Sequence, residues 1–211
     1  GDGRDPGARR GREGVGAGGM GRWYARGMGG AGEVATRSAV AAPCESALHI
    51  ASTLGDSFSV IVGRRKWVPE MRDNVTRYGY RERLASFKVV ELGVHDFQAD
   101  PDRTRDRLTK AGEEAVAKDG AEVVVLGCTA EYGFFADLQR LIGAPVVDAT
   151  VAPFKYAELL ADLAGLGWRP SKIGGFETPP IDELETFGLA GQLATGASAE
   201  VHTNSGGGIV Q

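Results

Sequence analysis

The stretch Gly-Ala-Glu-Val-Val-Val-Leu-Gly-Cys-Thr, residues 120–129, decides the fold of this chain. Its run of consecutive apolar residues predicts a strand over 122–126 that is apolar on both faces, as in a parallel sheet covered by helices on both sides. Gly127, Cys128 and Thr129 follow the strand directly. Because ligands of open parallel sheets bind beyond the carboxyl ends of the strands, this stretch also places a thiol where a functional site is expected.

Apolar runs alternate with amphipathic segments on both sides of this strand. Strands separated by helices of ten or more residues are typical of βαβ units and a parallel sheet. The pattern therefore predicts an α/β fold, a doubly wound parallel sheet of five strands with five helices. The predicted strands are 34–42, 58–62, 87–92, 122–126 and 145–147, and the predicted helices are 44–54, 68–78, 101–118, 134–142 and 151–163.

The composition divides the chain into three zones. Residues 1–33 are rich in Gly and Arg and predict an irregular segment. Gly14, Gly16 and Gly19 spell G-x-G-x-x-G, but no strand precedes them and no helix follows, which argues against a dinucleotide site. Residues 34–168 form the predicted α/β domain, and residues 169–211 a C-terminal tail with a possible short helix over 181–189.

The totals exclude several classes of function. The 211 residues carry a net charge of −4, which gives no general electrostatic basis for binding nucleic acid. No apolar run approaches the ~20 residues that span a bilayer, so we expect no membrane partner and a cytoplasmic location. Two cysteines and three scattered histidines give no zinc-ligand spacing, so no metal is predicted and both thiols are expected to be free.

Both cysteines fall at predicted strand-to-helix turns. Cys128 follows the central strand, and Cys44 follows the first strand and Pro43. A helix N-terminus favours negative charge and lowers the pKa of a thiol. A thiolate on one face of a carbon can remove a proton and a thiol on the other face can return one, which inverts a stereocentre without cofactor or metal. The alternative is that each cysteine is a small apolar residue filling a tight turn.

Four further residues are candidates for contact with a small-molecule substrate. Thr129 can donate a hydrogen bond beside Cys128. Gly63 and Arg64 follow the second predicted strand, where the guanidinium could hold a carboxylate or simply be solvated. Glu45 lies in the first turn after Cys44, where it could contact a ligand or be favoured only by the helix dipole.

Residues 43–189 resemble the aspartate/glutamate/hydantoin racemase superfamily, most closely its hydantoin-racemase-like branch. Four stretches carry the resemblance: PCESALH at 43–49, FSVIV at 58–62, GAEVVVLGCT at 120–129 and GAPVVDA at 143–149. The resemblance implies two similar flavodoxin-like α/β lobes with the active site in the cleft between them. Each lobe supplies one catalytic cysteine, and Cys128 matches the second of these.

The chain departs from the family pattern near its beginning. The first catalytic cysteine of the family precedes an Asp-Pro-Gly segment, and residues 5–7 with Glu13 resemble that segment, but no cysteine stands before them. We therefore expect one lobe to be essentially complete and the N-terminal lobe to be truncated. The resemblance places Glu45 on the ligand-facing rim and places no catalytic thiol at Cys44, which could still substitute as the second thiol.

The leading hypothesis is a cofactor-independent racemase or epimerase of an amino acid or hydantoin-type compound. A second enzymatic interpretation is an arylmalonate decarboxylase or maleate isomerase, which needs a single cysteine. The third is a non-catalytic truncated pseudoenzyme that only binds a ligand or dimerises. A half-open cleft also suggests a possible homo-oligomer.

Overall fold

A computed structural model of the chain describes residues 40–171, 173, 177 and 180–188. The elements alternate as the sequence pattern predicts, with one-turn or 3-10 segments in several loops. The helices are α1 (Pro43–Leu54), α2 (Val68–Arg77), α3 (Asp96–Ala99), α4 (Pro101–Asp119), α5 (Phe135–Ile142), α6 (Val151–Gly165) and α7 (Ile181–Thr186), and the strands are β1 (Phe58–Val62), β2 (Leu84–Val89), β3 (Val123–Leu126) and β4 (Val146–Asp148).

The strands form one parallel sheet in the order β2-β1-β3-β4. The predicted parallel sheet is confirmed, but the described residues hold four strands and not five. Residues 34–39 of the predicted first strand lie outside the described residues, and Val40 to Ala42 form no strand. The chain enters α1 directly at Pro43, because proline is favoured in the first turn of a helix and cannot donate to a strand ladder.

The second strand lies three residues earlier than predicted. The sequence pattern indicated 87–92, whereas β2 spans Leu84–Val89 and pairs with β1 from Phe58 onward. It is an edge strand, with residues half-buried or exposed, so Ser86 and Lys88 are tolerated in it. The predicted bounds are displaced because the apolar run continues into Val90 and Leu92, which are buried beyond the paired residues.

Helices cover both faces of the sheet, which confirms the doubly wound arrangement. On one face α1, α2 and the first turn of α6 pack against Phe58, Val60 and Val125. On the other face α3, α4 and α5 pack against Ile61 and Leu126. Each apolar core is thus built on alternate residues of the same central strands, as the twofold repeat of a β-strand requires.

Local signals fix the ends of the helices. The side chain of Asp100 accepts a hydrogen bond from the backbone N–H of Arg103 and caps α4. Gly120 and Gly143 end α4 and α5 in the left-handed conformation. These short connections return the chain to the amino end of the sheet, so the opposite, carboxyl end is left for the longer loops.

Gly127 is required by a close approach to the end of the neighbouring strand β1. Its N–H donates to the carbonyl of Ile61 at 2.8 Å. A Cβ at this position would lie 2.6 Å from that carbonyl oxygen and 2.8 Å from Val60 Cγ1. Neither backbone nor β-branched side chain can withdraw at low cost, so only glycine fits where the chain leaves β3.

We expect Gly127→Ala to destabilise the full chain by about 1–3 kcal/mol, the usual cost of overpacking a well-packed core. Urea unfolding followed by circular dichroism measures the change as a lower midpoint. Gly165→Ala is the matched control, because a Cβ at Gly165 meets nothing within 4 Å. A midpoint for Gly127→Ala equal to that of the control would contradict the packing argument.

Candidate active site

The candidate site lies at the carboxyl end of β1 and β3, which are neighbours in the sheet. Gly63 and Arg64 follow β1, and Cys128 and Thr129 follow β3. Sequence analysis predicted these four residues separately, and the parallel pairing of the two strands brings them to one edge. Glu45 and Cys44 lie at the start of α1, and Cys44 packs into the core on the face of the sheet opposite to Cys128.

Cys128 is almost completely buried in a tight turn. Its exposed fraction is 3%, and it packs with the apolar core formed by α3, α4 and α5. The turn is a 3-10 helix of three residues, Thr129–Glu131. The backbone N–H of Cys128 donates to Glu131 Oε2 at 3.3 Å, and the N–H of Glu131 donates to the Cys128 carbonyl at 3.0 Å. Cys128 and Glu131 are therefore tied to each other by two hydrogen bonds.

The expected lowering of the Cys128 pKa is wrong in this structure. Burial and, to a smaller extent, negative charge on Glu131 raise the pKa of the thiol to about 12, against a backbone hydrogen bond from Ala130 that lowers it. The helix after Cys128 has a single turn, too short to build the dipole that the prediction assumed. At neutral pH the free chain therefore holds Cys128 as the protonated thiol.

Glu131 is a fully buried carboxyl group with an unusual environment. Burial raises its pKa well above the ordinary value, and the nearby Asp148 carboxylate adds to the rise, against backbone hydrogen bonds from Cys128 and Gly127 that lower it. Its Oε1 atom has no hydrogen-bond partner. Asp148, in contrast, accepts from the backbone N–H groups of Thr150 at 2.7 Å and Gly133 at 3.3 Å.

Neighbouring loops brace the turn that carries Cys128. From α3, Gln98 Nε2 donates to the carbonyls of Ala130 at 3.0 Å and Tyr132 at 3.2 Å. From the end of β4, the Thr150 hydroxyl donates to the Thr129 carbonyl at 3.2 Å. The turn is thus held by hydrogen bonds from two segments that lie far from it in sequence.

The predicted substrate-binding residues at the carboxyl end of β1 and β3 differ in their burial and contacts. Thr129 is half-buried, and its hydroxyl makes no hydrogen bond to any other described residue. Arg64 is exposed, with its guanidinium against Gly93. Gly63 is buried, and a Cβ there would lie 2.5 Å from the Leu92 carbonyl oxygen, so packing alone accounts for this glycine. Their contact with a substrate remains a prediction.

The structure separates the two cysteines. Cys44 is fully buried in the core on the α1 face of the sheet, whereas Cys128 belongs to the core on the opposite face. Burial raises the pKa of Cys44, and Glu45 beside it adds to the rise. The arrangement does not favour Cys44 as the second thiol and fits its alternative interpretation as a small apolar residue at a helix start. Glu45 is half-buried at the same helix start.

The histidines do not join the candidate site. His95 is exposed at the start of α3. His49 packs edge-on against Tyr80, and its Nδ1 lies 2.8 Å from the Glu45 carbonyl oxygen. His202 lies outside the described residues. Among the residues described, no group of three His, Cys, Asp or Glu side chains could hold a metal ion, and none of the helices there is long and apolar enough to cross a membrane.

Three residues of the site were not predicted from the sequence. Glu131 stands three residues after Cys128, and a carboxylate three residues after a helix-capping residue is the spacing of a capping box. That signal could have been noticed at Cys128. Gln98 is hydrogen-bonded to Ala130, 32 residues away in sequence, and Asp148 to Gly133, 15 residues away. No local sequence pattern predicts either contact.

Comparisons with known proteins agree with one another. The sequence model of the Asp/Glu/hydantoin racemase family matches residues 33–157. A hydantoin racemase of Pseudomonas sp. (strain NS671) is 34% identical over 180 residues, which is 83% of this chain and 71% of that protein. A hydantoin racemase of Rhizobium meliloti is 36% identical over 138 residues, 65% of this chain and 56% of that protein.

Solved structures show the same relationship. An allantoin racemase from Pseudomonas fluorescens matches with a TM-score of 0.59 and 32% identity, over 64% of this chain and 56% of that chain. An allantoin racemase from Klebsiella pneumoniae matches with a TM-score of 0.55 at 24% identity, over 65% of this chain and 55% of that chain, and shows the shared fold. The present chain thus spans little more than half the length of these two proteins.

We expect Gln98→Ala to loosen the turn that carries Cys128, because two carbonyls lose their side-chain donor. Amide hydrogen exchange of residues 128–134 should become about fivefold faster, corresponding to ~1 kcal/mol for a lost hydrogen bond. Glu113→Ala, an exposed change on α4, serves as the control and should leave this exchange unaltered. Unaltered exchange in both variants would mean that Gln98 does not brace the turn.

Proposed function

This chain belongs to the Asp/Glu/hydantoin racemase family, and we propose that it racemises a hydantoin-type or related small molecule by proton transfer at carbon through Cys128. The observation that carries the proposal is the position of Cys128. It lies directly beyond the carboxyl end of the central strand β3, in the turn that ligands of this fold class approach. Matches to hydantoin racemases over this same part of the chain support it.

The protonation state of Cys128 suggests which half of the reaction it performs. Racemisation needs a base that removes the proton from carbon and an acid that returns one on the opposite face. With a pKa raised to about 12 by burial, Cys128 rests as the thiol, which is the acid form. We therefore assign Cys128 the role of the acid: starting from its resting thiol form, it donates a proton to the carbanion of the substrate.

The base on the other face of the substrate must come from a different group. Cys44 is the other thiol of the chain, and it is buried on the opposite side of the sheet. This chain spans 56% of the length of the Rhizobium meliloti hydantoin racemase and 56% of the Pseudomonas fluorescens allantoin racemase. The proposal therefore assigns Cys128 one half of a two-base reaction.

Substrate recognition is proposed to involve the residues around the turn. The Thr129 hydroxyl is available to donate to a carbonyl of the substrate, and the Arg64 guanidinium at the neighbouring strand end supplies positive charge for an anionic or enolate-like oxygen. Proton transfer between a thiol and carbon needs no redox or group-transfer cofactor, and we propose none.

We expect Cys128→Ser in the full chain to lower racemisation by about 100-fold or more, because a serine hydroxyl is a far weaker acid and general acid–base groups contribute at least that factor. The measurement is loss of optical rotation of a 5-substituted hydantoin and of allantoin, with deuterium incorporation at the stereocentre in D₂O. Cys44→Ser is the matched control and should retain most of the activity.

The outcomes separate the competing functions. Racemisation that survives in Cys128→Ser would show that Cys128 is not the proton-transfer residue. Release of CO₂ from an arylmalonate by the unaltered chain would support the single-cysteine decarboxylase in place of a racemase. Unchanged rotation and no deuterium incorporation for every substrate, with the fold intact by circular dichroism, would favour a non-catalytic protein.

A further inference from the structure

Glu131 is a buried carboxyl group that is hydrogen-bonded to the backbone of Cys128. It is fully buried, and its side chain accepts from the Cys128 N–H while its own N–H donates to the Cys128 carbonyl. These two bonds close the three-residue turn after β3. A change at the Glu131 carboxyl is therefore transmitted directly to the backbone of Cys128.

Closing the turn does not require a carboxyl group. One oxygen, Oε2, makes the hydrogen bond to Cys128, and the other, Oε1, is buried without a partner. An unsatisfied buried polar atom costs about 1–3 kcal/mol, and more when it carries charge. An amide or a hydroxyl at this position would cap the turn without that charge, so capping alone does not account for an acidic residue.

The surroundings of Glu131 disfavour ionisation of its carboxyl group. Burial and the Asp148 carboxylate both raise its pKa, and no lysine, arginine or histidine is among the groups that shift it. Asp148 is buried as well, but both of its oxygens accept backbone hydrogen bonds. The Glu131 site is unfavourable for a negative charge, so the raised pKa favours a protonated Glu131 carboxyl.

The charge of Glu131 also acts on Cys128. An ionised Glu131 raises the pKa of the Cys128 thiol, after the larger effect of burial. Two acids this close within a buried turn titrate as a coupled pair, because the first negative charge opposes the second. Beyond the pair itself, Asp148 is the charged group whose effect on Glu131 is resolved, and no described lysine, arginine or histidine is among the groups that shift either pKa.

We infer that Glu131 is a positioning residue for Cys128, whose buried carboxyl holds the Cys128 backbone in place and must stay protonated for the thiol to ionise readily. The importance of this coupling for turnover rests on the proposed function. The coupling itself requires only the geometry of the turn. A neutral Glu131 permits the thiolate, whereas an ionised Glu131 retains the proton on Cys128.

The first test uses the unaltered full chain and needs no variant to fold. Iodoacetamide alkylation is followed from pH 6 to pH 11, and peptide mass spectrometry resolves Cys128 from Cys44. An independent thiol below its pKa reacts tenfold faster for each unit of pH. With coupling, the Cys128 rate should flatten over the range in which Glu131 ionises and then rise again. An unbroken tenfold rise per unit would overturn the inference.

The second test is Glu131→Gln, which retains an oxygen that can accept from the Cys128 N–H and removes the ionisable group. At a pH above the flattened region of the unaltered chain's profile, where Glu131 is ionised, we expect alkylation of Cys128 in the variant to be about tenfold faster than in the unaltered chain, corresponding to about one pH unit, the size of effect that a neighbouring charge has. The flattened region of the pH profile should also disappear. Glu113→Gln on the exposed face of α4 is the control and should change neither.

Loosening of the turn could also speed alkylation, so amide exchange of residues 128–134 is measured on the same samples. Faster alkylation with faster exchange would mean that Glu131 only closes the turn, and an unchanged rate would mean that its charge does not reach Cys128. Either result overturns the inference. Neither alkylation nor exchange depends on turnover, so a chain that fails to racemise can still show the coupling, and a racemising chain can lack it.

Discussion

The hydrogen bond from the Gly127 N–H to the Ile61 carbonyl is the contact on which the candidate site depends. It extends the parallel pairing of β1 and β3 by one residue beyond β3 and determines the point at which the chain leaves the sheet. The approach is so close that a Cβ cannot fit. Cys128 therefore begins its turn from a fixed backbone position, and the tight turn that follows buries Glu131.

Burial has opposite consequences for the geometry and the chemistry of this turn. It holds Cys128 and Glu131 in one arrangement, braced by Gln98 and Thr150. The same exclusion of water disfavours negative charge on both side chains, because a buried ion loses hydration that no described cation replaces. A thiol that is well positioned but resistant to ionisation suits the acid step of proton transfer more than the basic one.

Most of the fold could be predicted from the sequence because its signals are local. The buried strands β1 and β3 consist almost entirely of apolar residues, and Gly or Asp-Pro at the helix ends marks where α4 and α5 stop or begin. The prediction was wrong in the bounds of β2, because the apolar run continues into Val90 and Leu92 beyond the paired residues. It was also wrong for Val40 to Ala42, which lead into α1 without joining the sheet.

The amino-acid sequence was sufficient to predict the α/β alternation, the position of Cys128 beyond a central strand and, through resemblance, the racemase family. The protonation of Cys128 depends on the tertiary structure, because burial of the thiol outweighs what a helix of one turn can offer a negative charge. The tertiary structure also separated Cys44 from Cys128, since the face of the sheet that each helix covers is not encoded in local spacing. The proximity of Asp148 to Glu131 arises from the pairing of β3 with β4, which joins residues that no local pattern connects.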